Sequence, residues 1–97
     1  MEIKPYSIDF LEDVVEKDLA ALPVTIESRI GKAIQARLRI NPDKLGKPLS
    51  YKLKGYFSLR VGDYRIIYRI EIPEHKVLIT AVGHRKEIYK RCKIVQF

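Results

Sequence analysis

The stretch GYFSLRVGDYRIIYR, residues 55–69, alternates apolar and polar side chains on both sides of a Gly-Asp pair. Phe57, Leu59 and Val61 fall on one phase, Ser58 and Arg60 on the other. After Gly62-Asp63 the phase resumes, with Tyr64, Ile66 and Tyr68 set against Arg65, Ile67 and Arg69. A period of two marks a half-buried strand. Glycine first in a two-residue loop predicts a type II′ turn, whose twist matches that of the flanking strands. That register pairs Val61 with Tyr64 and Arg60 with Arg65. Like charges directly across a ladder repel, so a hairpin that holds them needs a reason beyond folding.

Outward from the hairpin, VLITAVG, residues 77–83, is apolar on both faces and predicts a central strand. PEHK makes the turn before it. Upstream, YKLK, residues 51–54, predicts a further strand with Tyr51 and Leu53 on one face and Lys52 and Lys54 on the other. NPDKLGKPLS, residues 41–50, reads as a polar connection. Ile26, Ile30, Ala33, Ile34 and Leu38 recur at helical spacing and stop at Asn41-Pro42. Gly31 costs this helix about 1 kcal/mol and predicts a close helix contact. Ile8, Leu11, Val15, Leu19 and Leu22 make a second stripe, with Ser7 as N-cap and Asp9, Glu12, Asp13 and Glu16 on the early turns. MEIKPY, residues 1–6, reads as a short edge strand, a place that suits Pro5. The tail from His84 onward predicts a helical turn or two. The expected fold is α+β: one domain over residues 1–97, with an N-terminal strand and a helical hairpin packed on one face of a small, mainly antiparallel sheet, and a short C-terminal tail or helix.

The formal charge is +7, and it is divided unevenly. Residues 1–49 carry 8 basic and 8 acidic side chains, whereas residues 50–97 carry 11 and 4. Such asymmetry points to a polyanionic partner, nucleic acid first. With the helices on one face, the other is left with Lys52, Lys54, Arg60, Arg65 and Arg69, and Glu71 as its acid. Cations gathered this way suit phosphates. The single cysteine, Cys92, leaves no internal disulfide and no cysteine-based zinc cluster, and two histidines far apart do not replace one. No metal site or cofactor is expected. No apolar run approaches the roughly 18–20 residues of a membrane span, and the N-terminus lacks the apolar segment of a secretion signal. A cytoplasmic protein with no membrane contact is expected.

The strand and helical hairpin, PLSYKLKGYFSLRVGDYRIIYRI (residues 48–70) and VGHRKEIY (residues 82–89) together resemble the RelE/ParE superfamily of toxins from toxin–antitoxin pairs. The resemblance spans nearly the whole chain, and LRVGDYRIIYRI is its most specific part. RelE-like members are mRNA interferases that cut mRNA in the ribosomal decoding site; ParE-like members inhibit DNA gyrase and lack the RNase residues. The resemblance implies functional roles for the lysines of YKLK, Lys52 and Lys54, for Arg65 after the turn, Arg85 after the last strand and Tyr89 beyond it. All five positions carry the expected residue types, which favours the RelE branch. The segment between Arg85 and Tyr89 is shorter than in some members. His84 is common in one subset, where a histidine shares the acid–base work. The resemblance further implies a metal-independent endoribonuclease that leaves a 2′,3′-cyclic phosphate, held inactive by a cognate antitoxin with an acidic amphipathic segment. A gyrase inhibitor and a catalytically silent member are the alternatives.

The chemistry fits those residue types. RNA cleavage by its own 2′-OH needs a base, an acid for the leaving 5′-oxygen and cations for the charged phosphorane. Lys54, or Tyr89 as tyrosinate, serves as base if neighbouring cations lower its pKa. Arg85 neutralises or protonates the leaving group, charge stabilisation being the better role for an arginine; Lys52 and Arg65 hold the phosphate, and stacking on a base is the alternative role for Tyr89. Arg60, Arg69 and His84 are the further candidate RNA contacts.

Overall fold

The computed structural model describes residues 4–50 and 53–88. In chain order it contains β1 (Ser7–Phe10), α1 (Val14–Leu19), α2 (Val24–Ala33, running on through Ile34–Leu38), α3 (Pro42–Leu45), β2 (Lys47–Pro48), β3 (Tyr56–Val61), β4 (Tyr64–Glu71) and β5 (Lys76–His84). The strands form one sheet in the order β1-β5-β4-β3-β2. All neighbours are antiparallel except β1 and β5, which run parallel. The expected α+β arrangement holds. No described helix is long and apolar enough to cross a membrane.

The hairpin has the register that its alternation demands, with Val61 opposite Tyr64 and Arg60 opposite Arg65. Gly62 takes φ +61° while Asp63 stays at negative φ, as a type II′ turn requires. Leu59, Ile66 and Tyr68 then meet Val14, Ile30, Ile34 and Leu38 in the main core. On β5, Val77, Ile79 and Val82 join that core while Ala81 faces the other way. Strict alternation forbids this. The ladder slips between Ile67 and Tyr68, whose partners are Ala81 and Ile79, so Thr80 is an extra residue. Such a bulge flips the phase of everything after it. Thr80 Oγ1 donates to the Ile67 carbonyl at 3.1 Å and holds it in place.

The N-terminal elements are shifted from expectation. The strand is Ser7–Phe10 rather than residues 1–6, and Ser7 caps no helix. Tyr6, Ile8 and Phe10 alternate onto the core, a period of two inside what reads as a helical stripe. α1 therefore begins later and buries Val14 and Asp18, while Leu11 and Val15 stay exposed. Its winding, like that of Ile34–Leu38, is the wider π-helical one, so a stripe spaced for 3.6 residues per turn drifts off the core face. Asp18 has a task here. β1 covers β5 only as far as Ile79, and the Asp18 carboxylate accepts the exposed edge N–H of Val82 at 2.9 Å. Gly31 meets no close helix: a side chain there would enter open space.

The connection after α2 is also more ordered than a polar loop. Pro42 opens the single turn α3, and β2 pairs with Phe57 and Ser58 on the sheet's far edge. The buried Tyr68 hydroxyl donates to the Pro42 carbonyl at 2.5 Å and ties α3 to the sheet. A Cβ on Gly46 would overlap that hydroxyl, so only glycine fits beside it. The strand expected at 51–54 is absent among the described residues: Leu53–Gly55 form a turn with Gly55 at φ +95°. Tyr51 and Lys52 lie outside the described residues, as do residues 89–97 with the expected tail.

Burial, with the Asp43 carboxylate nearby, pushes the Tyr68 phenol up to about 12 from its ordinary 10.0. The folded state holds this proton more tightly than the unfolded chain. Its contribution is therefore complete below pH 10 and is lost as pH rises toward 12, at about 1.4 kcal/mol per pH unit. Tyr68→Phe leaves the Pro42 carbonyl without its partner and costs about 1–3 kcal/mol at neutral pH. In denaturant melts the gap between the two proteins should close as the pH approaches 12; a gap that widens would refute the assignment. Gly31→Ala should raise stability by up to about 1 kcal/mol.

Candidate nucleic-acid interface

The sheet face away from the helices is not the open cationic field that the alternation suggests. Ile67, Ala81 and Ile88 form a second small core there, with Leu49, Leu53 and Tyr56 packed around it. The phase flip at Thr80 brings Gly83 to this face, opposite Arg65. A Cβ on Gly83 would press on Ile88 Cδ1 at 3.2 Å, so glycine gives Ile88 its seat. Ile88 in turn pins the segment that carries Arg85.

Arg65 and Arg85 meet at the hairpin turn. Arg65 Nη1 donates to the carbonyls of Gly62 at 3.1 Å and Tyr64 at 3.0 Å. The Arg85 N–H donates to the Asp63 carbonyl at 2.8 Å, and its Nε stands 3.7 Å from Asp63 Oδ1. The Arg85 side chain is 54% exposed, so this ion pair is loose and its remaining N–H groups are open to solvent. Both residues are thus tied to one tight turn, Arg65 through its guanidinium and Arg85 through its backbone N–H, with the exposed Asp63 carboxylate beside Arg85.

Arg60 does not join them, although it faces Arg65 in the ladder. Because β2 pairs only with Phe57 and Ser58, β3 is an open edge at Arg60. Its side chain lines a surface groove of about 390 Å³ with Arg29, Lys32, Ala33, Ala36, Arg37, Val61 and Gly62. The two facing arginines relieve their repulsion by diverging, one over the turn and one around the edge. Sequence reading missed the α2 members of this groove. Their signal is the spacing of Arg29, Lys32 and Arg37, a basic stripe beside the apolar one, masked by counting charge over the whole first half.

The other candidate residues are scattered. Arg69 is bound to Glu71 Oε1 through Nε at 3.1 Å and Nη2 at 2.7 Å, and its guanidinium lies 5.9 Å from the Tyr56 ring centre. The hydrogen bond to Glu71 holds Arg69 above its ordinary pKa. It is an engaged cation, not a free one. Lys54 is exposed in the turn before β3. Tyr56, the first residue of that strand, is about 13 Å of strand from Arg60, and Lys54 lies beyond it. His84 sits on the helix side, its ring edge-on to Tyr64 with centroids 5.5 Å apart. Its Nδ1 accepts the Lys86 N–H at 3.2 Å, so His84 braces the turn that presents Arg85. Lys52 and Tyr89 lie outside the described residues.

Comparison with known proteins places the sequence and the fold among toxins of toxin–antitoxin systems. Residues 10–89 match the family described as ParE toxin of type II toxin-antitoxin system, parDE. The chain is 38% identical over 87 residues to Toxin RelG of Mycobacterium tuberculosis, spanning 90% of this chain and 99% of that protein. It is 38% identical over 74 residues to Toxin RelE of the same organism, spanning 76% of each. Its fold matches a chain of the toxin–antitoxin complex RelBE2 from Mycobacterium tuberculosis with a TM-score of 0.78 and 37% identity, over 84% of this chain and 99% of that one. The isolated RelE toxin of E. coli shares the fold with a TM-score of 0.69 at 19% identity, over 95% and 99% of the two chains.

Neither Arg60 nor Arg65 makes an ion pair among the described residues. Arg60→Gln and Arg65→Gln should each leave unfolding free energy within about 0.5 kcal/mol of wild type. Ile88→Ala, which empties the seat on Gly83, should cost about 2–5 kcal/mol. Denaturant titration of the three variants checks both statements; strong destabilisation by Arg65→Gln would make it a structural residue.

Proposed function

The chain belongs to the ParE toxin family of type II toxin–antitoxin systems, and from that premise we propose that it acts as a RelE-like, ribosome-dependent mRNA interferase. The observation that carries this reading is the pair Arg65 and Arg85, docked on one turn with guanidinium N–H groups open to solvent. A rigid turn that presents two cations is suited to a phosphate that gains charge in its transition state.

In the proposed reaction the ribose 2′-oxygen attacks its own 3′-phosphorus. The O2′–P bond forms as the P–O5′ bond breaks, giving a 2′,3′-cyclic phosphate and a 5′-hydroxyl. Lys54 or Tyr89 takes the 2′ proton. Arg85 steadies the charge on the leaving 5′-oxygen, which takes its proton from water to become the 5′-hydroxyl, while Arg65 and Lys52 hold the non-bridging oxygens. An arginine is a poor acid, so charge stabilisation is its role. Lys54 is separated from the turn by more than the length of β3's polar half, and no described side chain is a dedicated base beside Arg65. This spacing supports dependence on the ribosome, which would set the scissile phosphate against scattered groups. Arg69, tied to Glu71, is assigned no contact with the reacting phosphate, and His84 acts by bracing the Arg85 turn.

The partner in this reading is a cognate antitoxin, as in the RelBE2 complex that the chain resembles. An acidic, amphipathic segment that folds on binding would cover the Arg65–Arg85 surface. A second reading, a non-nuclease gyrase inhibitor, is favoured by one observation, the ParE description of the matched family.

Cleavage of mRNA on programmed ribosomes separates the two. Arg65→Gln, Arg85→Ala and Tyr89→Phe should each lower the cleavage rate by about a hundredfold or more with circular dichroism unchanged. Naked RNA should be cut poorly. Full activity in both Arg85→Ala and Tyr89→Phe would end the nuclease reading. Inhibition of purified gyrase without any mRNA cleavage would establish the second one.

A further inference from the structure

The groove between α2 and the open edge of β3 has no part in the chemistry above. We propose that it is a second RNA-backbone site, in which Arg29, Lys32, Arg37 and Arg60 hold phosphates outside the segment that reacts.

Four features point there. The groove is lined by four cations and no acid. None of the four side chains makes an ion pair or hydrogen bond among the described residues, although Arg69, Lys76 and Arg85 each pair with a carboxylate. On α2 the cations occupy one stripe, Arg29 and Lys32 three apart and Ala33, Ala36 and Arg37 continuing the same face. Like charges so placed weaken a helix and repel across the groove, a cost without return unless an anion enters. Small residues on the floor, Ala33 and Ala36, let a backbone approach closely.

Position selects an extended polyanion over a compact one. The Arg29 guanidinium lies against the hairpin turn, its Nη2 only 3.4 Å from where a Gly62 Cβ would stand. Arg65 Nη1 grips the Gly62 carbonyl of the same turn. The hairpin tip is therefore flanked by cations from α2 and β3 on one side and by Arg65 and Arg85 on the other. A phosphate chain that passes over the tip meets both sets. Among the described residues no aromatic or amide side chain lines the groove, and exposed cations bind phosphates whatever the base, so the contact should depend little on sequence.

The ligand rests on the reading of the protein as one that binds RNA, but not on its cutting RNA. The test accordingly measures binding alone. The probe is a fluorescent, 2′-O-methylated oligoribonucleotide, which cannot react through its 2′ position. Anisotropy is followed over a salt titration for wild type, for Arg29→Gln/Lys32→Gln/Arg37→Gln, and for Lys4→Gln/Lys44→Gln/Lys47→Gln, a control that removes the same charge elsewhere. Three lost phosphate contacts make the slope of log K against log salt shallower by about 2, and weaken binding about a hundredfold at 0.1 M salt. The control should bind at least tenfold more tightly than the groove variant. Equal losses in the two triple variants would overturn the proposal, as would unchanged binding by a groove variant with a native melt. A groove variant that keeps RNA but no longer binds a polyglutamate peptide would assign the groove to an acidic protein partner instead, and also overturns it. Loss of RNA binding alongside absent ribosomal cleavage in wild type would leave the groove standing and remove only the nuclease reading.

Discussion

One inserted residue, Thr80, decides which side chains of β5 meet the helices and which meet the cationic surface. Before it, Val77 and Ile79 point into the main core; after it, Val82 does. Without the insertion Ala81 and Gly83 would face the helices, leaving a hole where Val82 packs. Val82 would be turned outward under Ile88. The bulge therefore serves both layers at once. It fills the core beneath α1, and it puts the one residue without a side chain where Ile88 must sit. The Arg85 segment depends on that seat, so the surface geometry follows from a slip in the middle of the sheet.

The electrostatic plan follows from where strands end. β2 is only two residues long, so β3 is bare at Arg60 and the arginine can turn away from Arg65. β1 stops at Phe10, opposite Ile79, and Asp18 closes the gap by accepting the Val82 N–H. One short edge strand thus frees a cation and the other recruits a carboxylate. Cations that serve structure are paired, as Arg69 is with Glu71 and Lys76 with Asp9. Four of those without an ion pair among the described residues, Arg29, Lys32, Arg37 and Arg60, gather in the groove beside the hairpin tip.

The sequence made the hairpin, its turn type and its register legible, because glycine placement and a period of two are local signals. The central position of VLITAVG was legible for a subtler reason: a strand that changes phase at a bulge reads as apolar on both faces. The N-terminal strand was hidden because Tyr6, Ile8 and Phe10 run directly into residues that also fit a helical spacing. The π-helical winding of α1 then shifted burial from Val15 to Val14 and Asp18. For the site, the family resemblance pointed to Arg65 and Arg85, and the fold ties both to the hairpin turn. The basic stripe of α2 was concealed by arithmetic. Acids at residues 9–18 cancel the cations of residues 28–40 in any count over the first half, yet the fold separates them. That Arg69 is engaged with Glu71 depends on two side chains on the same face of β4, which alternation alone does disclose.

β1 precedes the other strands of the sheet in the chain and β5 follows them. Ser7 pairs with Lys76, roughly seventy residues later in the chain. Closing a loop of that length is entropically costly and makes such a contact slow to form. During synthesis the N-terminal strand and the apolar faces of α1 and α2 have no sheet to cover until β3, β4 and β5 have left the ribosome. The hairpin tip acquires Arg29 from α2 and Arg85 from the segment after β5, so its cations come together only once β5 has been made. The topology itself thus delays assembly of this cationic surface until the whole sheet is available.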